Sequence, residues 1–299
     1  MDSPLLFPVK WRRGTIFVLD EKQLPFKEEY IAVHTLDEAV EVLRDMKTRS
    51  LGQVLLCFYS FILFQRECSI DEICALFKEA RPTFDFFMLG KIIKTQIGKG
   101  LPVEAAVEHF LYKFDNARKR RAQKLAEILP EDARVLTICN VNGELIYLYE
   151  RMQKLNKAVI FYVMETRPYL QGTRLTFWEL RRNNIPCRLI CDSQAAWLMK
   201  QGEVNCVVCG ADRVTVKGDI INKIGTYALA RLSSHFGIPF YPLTQYPRDI
   251  DIDSIVIEER PKDEAFMFLE GDFSGINAFY PAFDITRRDY ITRCIELSV

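Results

Sequence analysis

R-V-L-T-I-C (134–139) opens a series of short apolar runs that continues with A-V-I-F-Y-V (158–163), C-R-L-I-C (187–191), V-N-C-V-V-C (204–209) and I-P-F-Y-P-L (238–243). Between them the apolar residues recur at helical spacing, at about 144–155, 174–184, 193–201 and 222–236. Apolar runs of strand length alternating with amphipathic helices predict a parallel sheet covered on both faces. This pattern begins after Pro130, which puts a domain boundary near Leu129 to Asp132 and a second domain over residues 131–299.

Upstream the grammar differs. V-K-W-R-R-G-T-I-F-V-L (9–19) reads as a short hairpin turning at Arg13-Gly14. T-L-D-E (35–38) and S-I-D-E (69–72) are capping boxes, each opening a helix. Residues 84–98 and 102–129 also carry helical periodicity, so 1–130 is predicted to be a hairpin followed by helices. The most apolar stretch, Leu51 to Phe64, is too short to span a bilayer and reads as a buried helix. The basic run Arg118-Lys119-Arg120-Arg121 reads as the solvated face of a helix whose other side carries Ala117, Ala122 and Leu125.

The chain has 299 residues, 49% of them hydrophobic and 27% charged, enough apolar side chain for a real core. Lys plus Arg equals Asp plus Glu at 40 each, so net charge gives no reason to expect a nucleic-acid partner. No membrane segment is expected. Nine cysteines, with no export-type apolar core in Met1 to Lys10, suggest free thiols and a cytoplasmic location. Cys206 and Cys209 form a C-x-x-C, but strand alternation sends them to opposite faces and no second ligand pair stands at zinc spacing, so no metal is expected. G-x-G-x-x-G after the first run and G-x-x-x-x-G-K-[ST] are both missing, which removes support for a dinucleotide or P-loop enzyme.

Ligands of an open parallel sheet bind beyond the carboxyl ends of its strands. The residues following four of the runs are Cys139-Asn140, then Glu165-Thr166-Arg167-Pro168 with Gln171-Gly172, then Asp192-Ser193, then Gly210-Ala211-Asp212-Arg213. Cys139 reads either as a small apolar residue ending a strand or as a thiol activated at a helix N-terminus. Asp212 reads either as a turn cap or as a proton-transferring carboxylate. No histidine stands at this rim, which weakens a Cys–His hydrolase.

E-T-R-P-Y-L-Q-G-T-R-L-T-F-W-E-L (165–180), D-S-Q-A-A-W-L-M (192–199), G-A-D-R-V (210–214) and G-D-I-I-N-K-I-G-T-Y (218–227) closely resemble the methylthioribose-1-phosphate isomerase family. Its relatives are ribose-1,5-bisphosphate isomerase and the alpha, beta and delta subunits of translation initiation factor 2B. L-P-F-K-E-E-Y (24–30) and P-A-F-D-I-T (281–286) are similar to the isomerase branch.

The resemblance implies an α/β fold, with a Rossmann-like parallel-sheet C-terminal domain behind a smaller hairpin-plus-helical N-terminal domain. It implies a homodimer and a cofactor-free conversion, in methionine salvage, of an aldose 1-phosphate to a ketose 1-phosphate. Cys139 and Asp212 match the family's acid–base pair. Asn222 and Lys223 match its substrate-binding N-K pair, and Arg167 and Gln171 match its loop near the ligand. Arg49, Arg81, Thr83 and Asn140 match further substrate contacts.

The departures fall among the binding groups. The family's R-G-A-P-A stands here as Arg49-Ser50-Leu51-Gly52-Gln53, where a leucine side chain could block backbone approach to a phosphate. Its R-P-T-A-V-N-L runs Arg81-Pro82-Thr83-Phe84-Asp85-Phe86-Phe87, and its N-P-A-F-D begins at Tyr280. Its C-N-A-G-A is Cys139-Asn140-Val141-Asn142-Gly143, and the stretch between Ile97 and Arg134 is shorter and lacks I-G-x-H-G. Phe86 and Tyr280 are expected to line a site for a bulkier or less polar sugar phosphate. Two readings follow: an isomerase of a pentose 1-phosphate, or a catalytically impaired paralogue that binds a sugar phosphate or nucleotide as a regulator.

Overall fold

Arg13 and Gly14 both adopt left-handed backbone, with φ of +48° and +79°, and close the first turn as the sequence predicts. The computed structural model describes residues 1–299 except 83, 246–251, 253, 254, 256, 258, 267, 268, 274, 276, 298 and 299. Strands β1 (Val9–Arg12) and β2 (Thr15–Leu19) form the hairpin, and β3 (Tyr30–Val33), not foreseen from sequence, pairs antiparallel with β2. Helices α1 (Leu36–Arg44) and α3 (Ile70–Ala80) start at complete capping boxes on Thr35 and Ser69. Between them lies α2 (Leu51–Leu63), buried as its apolar run requires, and α4 (Phe86–Ile97) follows. Val9, Ile16, Val18, Phe58, Phe61, Phe77 and Phe86 belong to the core of this first unit.

Helix α5 (Val103–Ile128) leads to β4 (Asp132–Thr137). Then come α6 (Glu144–Lys154), β5 (Ala158–Met164), a π-helical turn at Gly172–Phe177 running into α7 (Trp178–Arg182), β6 (Cys187–Ile190) and α8 (Ala195–Lys200). The chain continues through β7 (Cys206–Gly210), β8 (Arg213–Val214), β9 (Ile220–Lys223), α9 (Thr226–Phe236), β10 (Phe240–Thr244), β11 (Phe283–Thr286) and β12 (Ile295–Glu296). The parallel sheet runs β12-β10-β7-β4-β5-β6, and β11-β9-β8 form a small antiparallel sheet. One face packs Val135, Phe161 and Cys206 against α6 and the end of α5; the other packs Leu136, Val207 and Cys209 against α8 and α9. Cys206 and Cys209 therefore serve opposite cores, as alternation requires. Burial pushes the Cys206 thiol up to about 12 and that of Cys209 well above its usual range.

The compact units are Asp2–Asn116 and Ala117–Val299 with Met1. The division falls inside α5 and not at the change of sequence pattern near residue 130, because Leu125, Ala126 and Leu129 belong to the core of the sheet unit. In the basic run Arg120 is exposed, as a solvated face requires, but Arg118 and Arg121 are not. Arg118 is 1% exposed and Arg121 is buried; Arg121 Nε donates to Glu144 Oε2 at 2.9 Å and Nη1 donates to the Thr244 carbonyl at 2.6 Å. Arg121 Nη2 donates to Glu144 Oε1, and Arg118 Nη2 donates to the Asn142 carbonyl. Among the described residues no helix is long and apolar enough to cross a membrane.

Candidate functional site

From β4 the chain adds β5 and β6 on one side, then returns to build β7, β10 and β12 on the other. Such a reversal opens a crevice at the carboxyl ends of the two strands that flank it, here β4 and β7. Leu136 is paired with Val207, so Cys139, three residues on, and Asp212, five residues on, both follow the carboxyl ends of these adjacent strands. Neighbouring strands lie about 4.8 Å apart. A β-carbon on Gly210 would sit 3.4 Å from Val141 Cγ1 and 3.8 Å from Asn222 Oδ1, so the loop after β4 and Asn222 meet over this glycine. Asp212 is tied in beside Asn222, its N–H donating to the Ile221 carbonyl at 2.9 Å.

Cys139 is half-buried and has left-handed backbone, φ +65°. Its N–H donates to Thr166 Oγ1 at 2.8 Å, and its carbonyl accepts from Thr176 Oγ1 at 2.6 Å. Asn140 Nδ2 donates to the same Thr176 hydroxyl at 3.0 Å, while Asn140 Oδ1 accepts the Asn142 N–H at 2.9 Å. The helix starts at Glu144, as its periodicity predicts, with residues 140–143 forming the turn between it and the cysteine. The Asp192 carboxylate, also expected at the rim, is engaged with the neighbouring loop and accepts the N–H groups of Thr166 (2.8 Å) and Arg167 (2.7 Å). Gly172 lets that loop close: a β-carbon there would stand 1.7 Å from the Met164 carbonyl oxygen. Arg167 Nη2 donates to the Ala265 carbonyl at 3.2 Å. Gln171 is 4% exposed, and its Oε1 receives no hydrogen bond among the described residues, which leaves a buried acceptor beside the rim.

Asn222 and Lys223 lie on β9, not at the start of a helix as periodicity suggested; Gly225, φ +102°, separates that strand from α9. Asn222 Nδ2 donates to Thr226 Oγ1 at 2.9 Å, and that hydroxyl donates to the Lys223 carbonyl at 2.6 Å. The buried Lys223 ammonium donates to Tyr280 Oη at 3.2 Å and lies 5.5 Å and 5.4 Å from the ring centres of Tyr280 and Phe283. Tyr280 is thus bound to a proposed ligand residue.

Asp284, paired in register with Asn222, was legible only as part of P-A-F-D. It accepts the N–H groups of Gly225 (2.7 Å) and Tyr227 (3.1 Å) and so holds the start of α9. Burial raises its pKa from 3.8 to about 6, against the lowering effect of those two N–H donors. A raised carboxyl contributes stability that is complete below its unfolded value and is lost as pH rises through the folded one. Asp284→Asn is therefore expected to gain stability relative to the parent protein between about pH 4 and pH 6, with a constant difference above. Urea midpoints measured across that range check this; parallel pH curves for the two proteins would contradict it.

The first unit carries the remaining predicted contacts. Arg49 Nε donates to the buried Glu21 carboxylate at 3.1 Å, and Arg81 ends α3, its N–H donating to the Phe77 carbonyl at 2.9 Å. Thr83 lies outside the described residues. Two expectations are corrected here. Leu51 is 5% exposed and belongs to the core, so its side chain does not stand over the Arg49–Ser50 loop. Phe86, expected to line a site, is fully buried in the core of the first unit, edge-on against Phe77. Ser50, where the resembling family has glycine, retains φ +37° with ψ −101°, a conformation that disfavours any side chain. Ser50→Gly should stabilise the protein by roughly 1 kcal/mol, read from the urea midpoint; a loss of stability would show that the serine hydroxyl contributes more than the strain costs.

Comparison with known proteins gives consistent likenesses. The sequence profile of the initiation factor 2 subunit family matches residues 33–296. A methylthioribose-1-phosphate isomerase of Anaeromyxobacter sp. (strain Fw109-5) is 35% identical, over 99% of this chain and 94% of its own. Among solved structures, 5-methylthioribose 1-phosphate isomerase from Pyrococcus horikoshii OT3 superposes with a TM-score of 0.80 at 26% identity, covering 99% of this chain and 93% of that one. Translation initiation factor eIF-2B subunit delta from A. fulgidus gives 0.78 at 27%, covering 96% and 93%.

Proposed function

We propose, from the premise that this chain belongs to the methylthioribose-1-phosphate isomerase family within the wider initiation factor 2 subunit family, that it isomerises a pentose 1-phosphate such as 5-methylthioribose 1-phosphate to the ketose. The observation that carries the reading is the reversal of strand order between β4 and β7, with a thiol following one strand and a carboxylate following the other.

The chemistry needs two such groups. A phosphate on C1 keeps the sugar from opening to a free aldehyde, so one group must assist ring opening while a proton or hydride moves between C2 and C1 away from water. In this reading Cys139 and Asp212 are the acid–base pair. Asn222, Lys223, Asn140, Arg167 and Gln171 bind sugar and phosphate oxygens. No cofactor takes part. The active form is a homodimer, and light scattering at the monomer mass counts against that part.

The Arg49–Gln53 segment, altered from the family pattern, favours the second reading, a regulator that binds a sugar phosphate or nucleotide without turning it over. Incubation with methylthioribose 1-phosphate, followed by NMR for the ketose, separates the two. Conversion supports the isomerase. No conversion, with a thermal shift on adding the sugar phosphate, supports the regulator. Neither conversion nor a shift, with the sugar phosphate or with nucleoside monophosphates, removes both.

A further inference from the structure

We infer that Thr166 and Thr176 are positioning residues that hold the Cys139 side chain in place, an inference that rests on the acid–base role proposed for that thiol. Left-handed backbone is disfavoured wherever a β-carbon is present, so Cys139 keeps its conformation only because something holds it. Its two peptide groups are each fixed by one hydroxyl: the N–H by Thr166 Oγ1 at 2.8 Å and the carbonyl by Thr176 Oγ1 at 2.6 Å. Together these bonds set the direction of the Cα–Cβ bond, about which the sulfur takes one of a few staggered positions.

The two hydroxyls serve this loop and their immediate surroundings. Thr166 Oγ1 also donates to the Met164 carbonyl at 3.1 Å, and Thr176 Oγ1 also accepts from Asn140 Nδ2. Both threonines are 1% exposed, so water does not compete for either bond. Each is itself firmly mounted. Thr166 has φ +64° and is held through its backbone by Asp192, and Thr176 stands within the π-helical turn that Gly172 opens. Valine has nearly the shape of threonine and lacks the hydroxyl, whereas serine keeps it.

The experiment compares Thr166→Val and Thr176→Val with Thr166→Ser and Thr176→Ser. The rate at which iodoacetamide alkylates Cys139, followed by peptide mass spectrometry, reads the loop without any substrate. The valine variants should alkylate about fivefold faster or more, as a released loop exposes its sulfur, with the serine variants near the parent rate. With methylthioribose 1-phosphate as substrate, kcat of the valine variants should fall about 10- to 100-fold with KM within about threefold. Unchanged alkylation in both valine variants, or serine variants as impaired as valine ones, overturns the inference. If a valine variant does not fold, exchange of the Cys139 amide in the parent protein decides: strong protection supports the clamp and free exchange overturns it. A parent protein inert toward the sugar phosphate removes the proposed reaction, while the alkylation ratios still judge the threonines.

Discussion

Cys139→Ser is expected to lower kcat on methylthioribose 1-phosphate by on the order of a thousandfold, with KM changed only a few-fold, and Asp212→Asn to do the same. Serine fills nearly the space of cysteine, and its hydroxyl is a far weaker acid than a thiol, whose ordinary pKa is about 8.5. Asparagine has the outline of aspartate but does not ionise, so it cannot take up or release a proton near neutral pH. The bonds given above for Cys139 and Asp212 are main-chain bonds, and both substitutions leave those bonds in place while removing acid–base capacity. If the two groups act as a unit, the double variant should be little worse than either single one. Steady-state kinetics on protein with a native melting profile makes the check. A single variant retaining a tenth or more of the parent kcat would take that residue out of the proton-transfer pair.

Glu144→Ala should destabilise the sheet unit by about 3–5 kcal/mol, a large share of the 5–15 kcal/mol typical of a folded domain. The Glu144 carboxylate, itself buried, accepts two bonds from Arg121 and faces Arg118 Nε at 3.5 Å. Without it two guanidinium groups remain in a place that water scarcely reaches, each still bound to a carbonyl, of Asn142 or Thr244. Removing one partner of a buried ion pair costs more than replacing the pair by apolar groups. Arg121→Met in the Glu144→Ala background should accordingly recover part of the loss. Urea denaturation of the three proteins tests this, and a Glu144→Ala midpoint equal to that of the parent would mean the arginines find equivalent partners elsewhere.

What could be read from the sequence was written in local chemistry. The Arg13-Gly14 turn, the boxes at Thr35 and Ser69 and the alternation after Pro130 each depend on residues a few positions apart, and each stands in the structure as expected. The strand at Ile220–Lys223 was obscured because only Ile224 and Gly225 separate it from the periodic residues of α9. Arg118 and Arg121 misled because helix charge ordinarily means solvent, and their partners at Asn142, Glu144 and Thr244 are supplied only by tertiary structure. Family likeness pointed to Cys139, Asp212, Asn222 and Lys223. It gave no sign of the hydroxyls on Thr166 and Thr176, whose bonds join loops far apart in sequence.

The paired sulfurs of β7 offer a stopwatch for the whole unit. Cys206 and Cys209 are fully enclosed on either side of the central sheet, whereas Cys191 is open to solvent. A dilute reagent in native buffer should tag Cys191 at once, and should reach the inner pair only during those rare excursions in which the sheet comes apart. Their labelling rate then measures how often a molecule opens completely, in the same sample in which Cys191 reports the reagent's own speed.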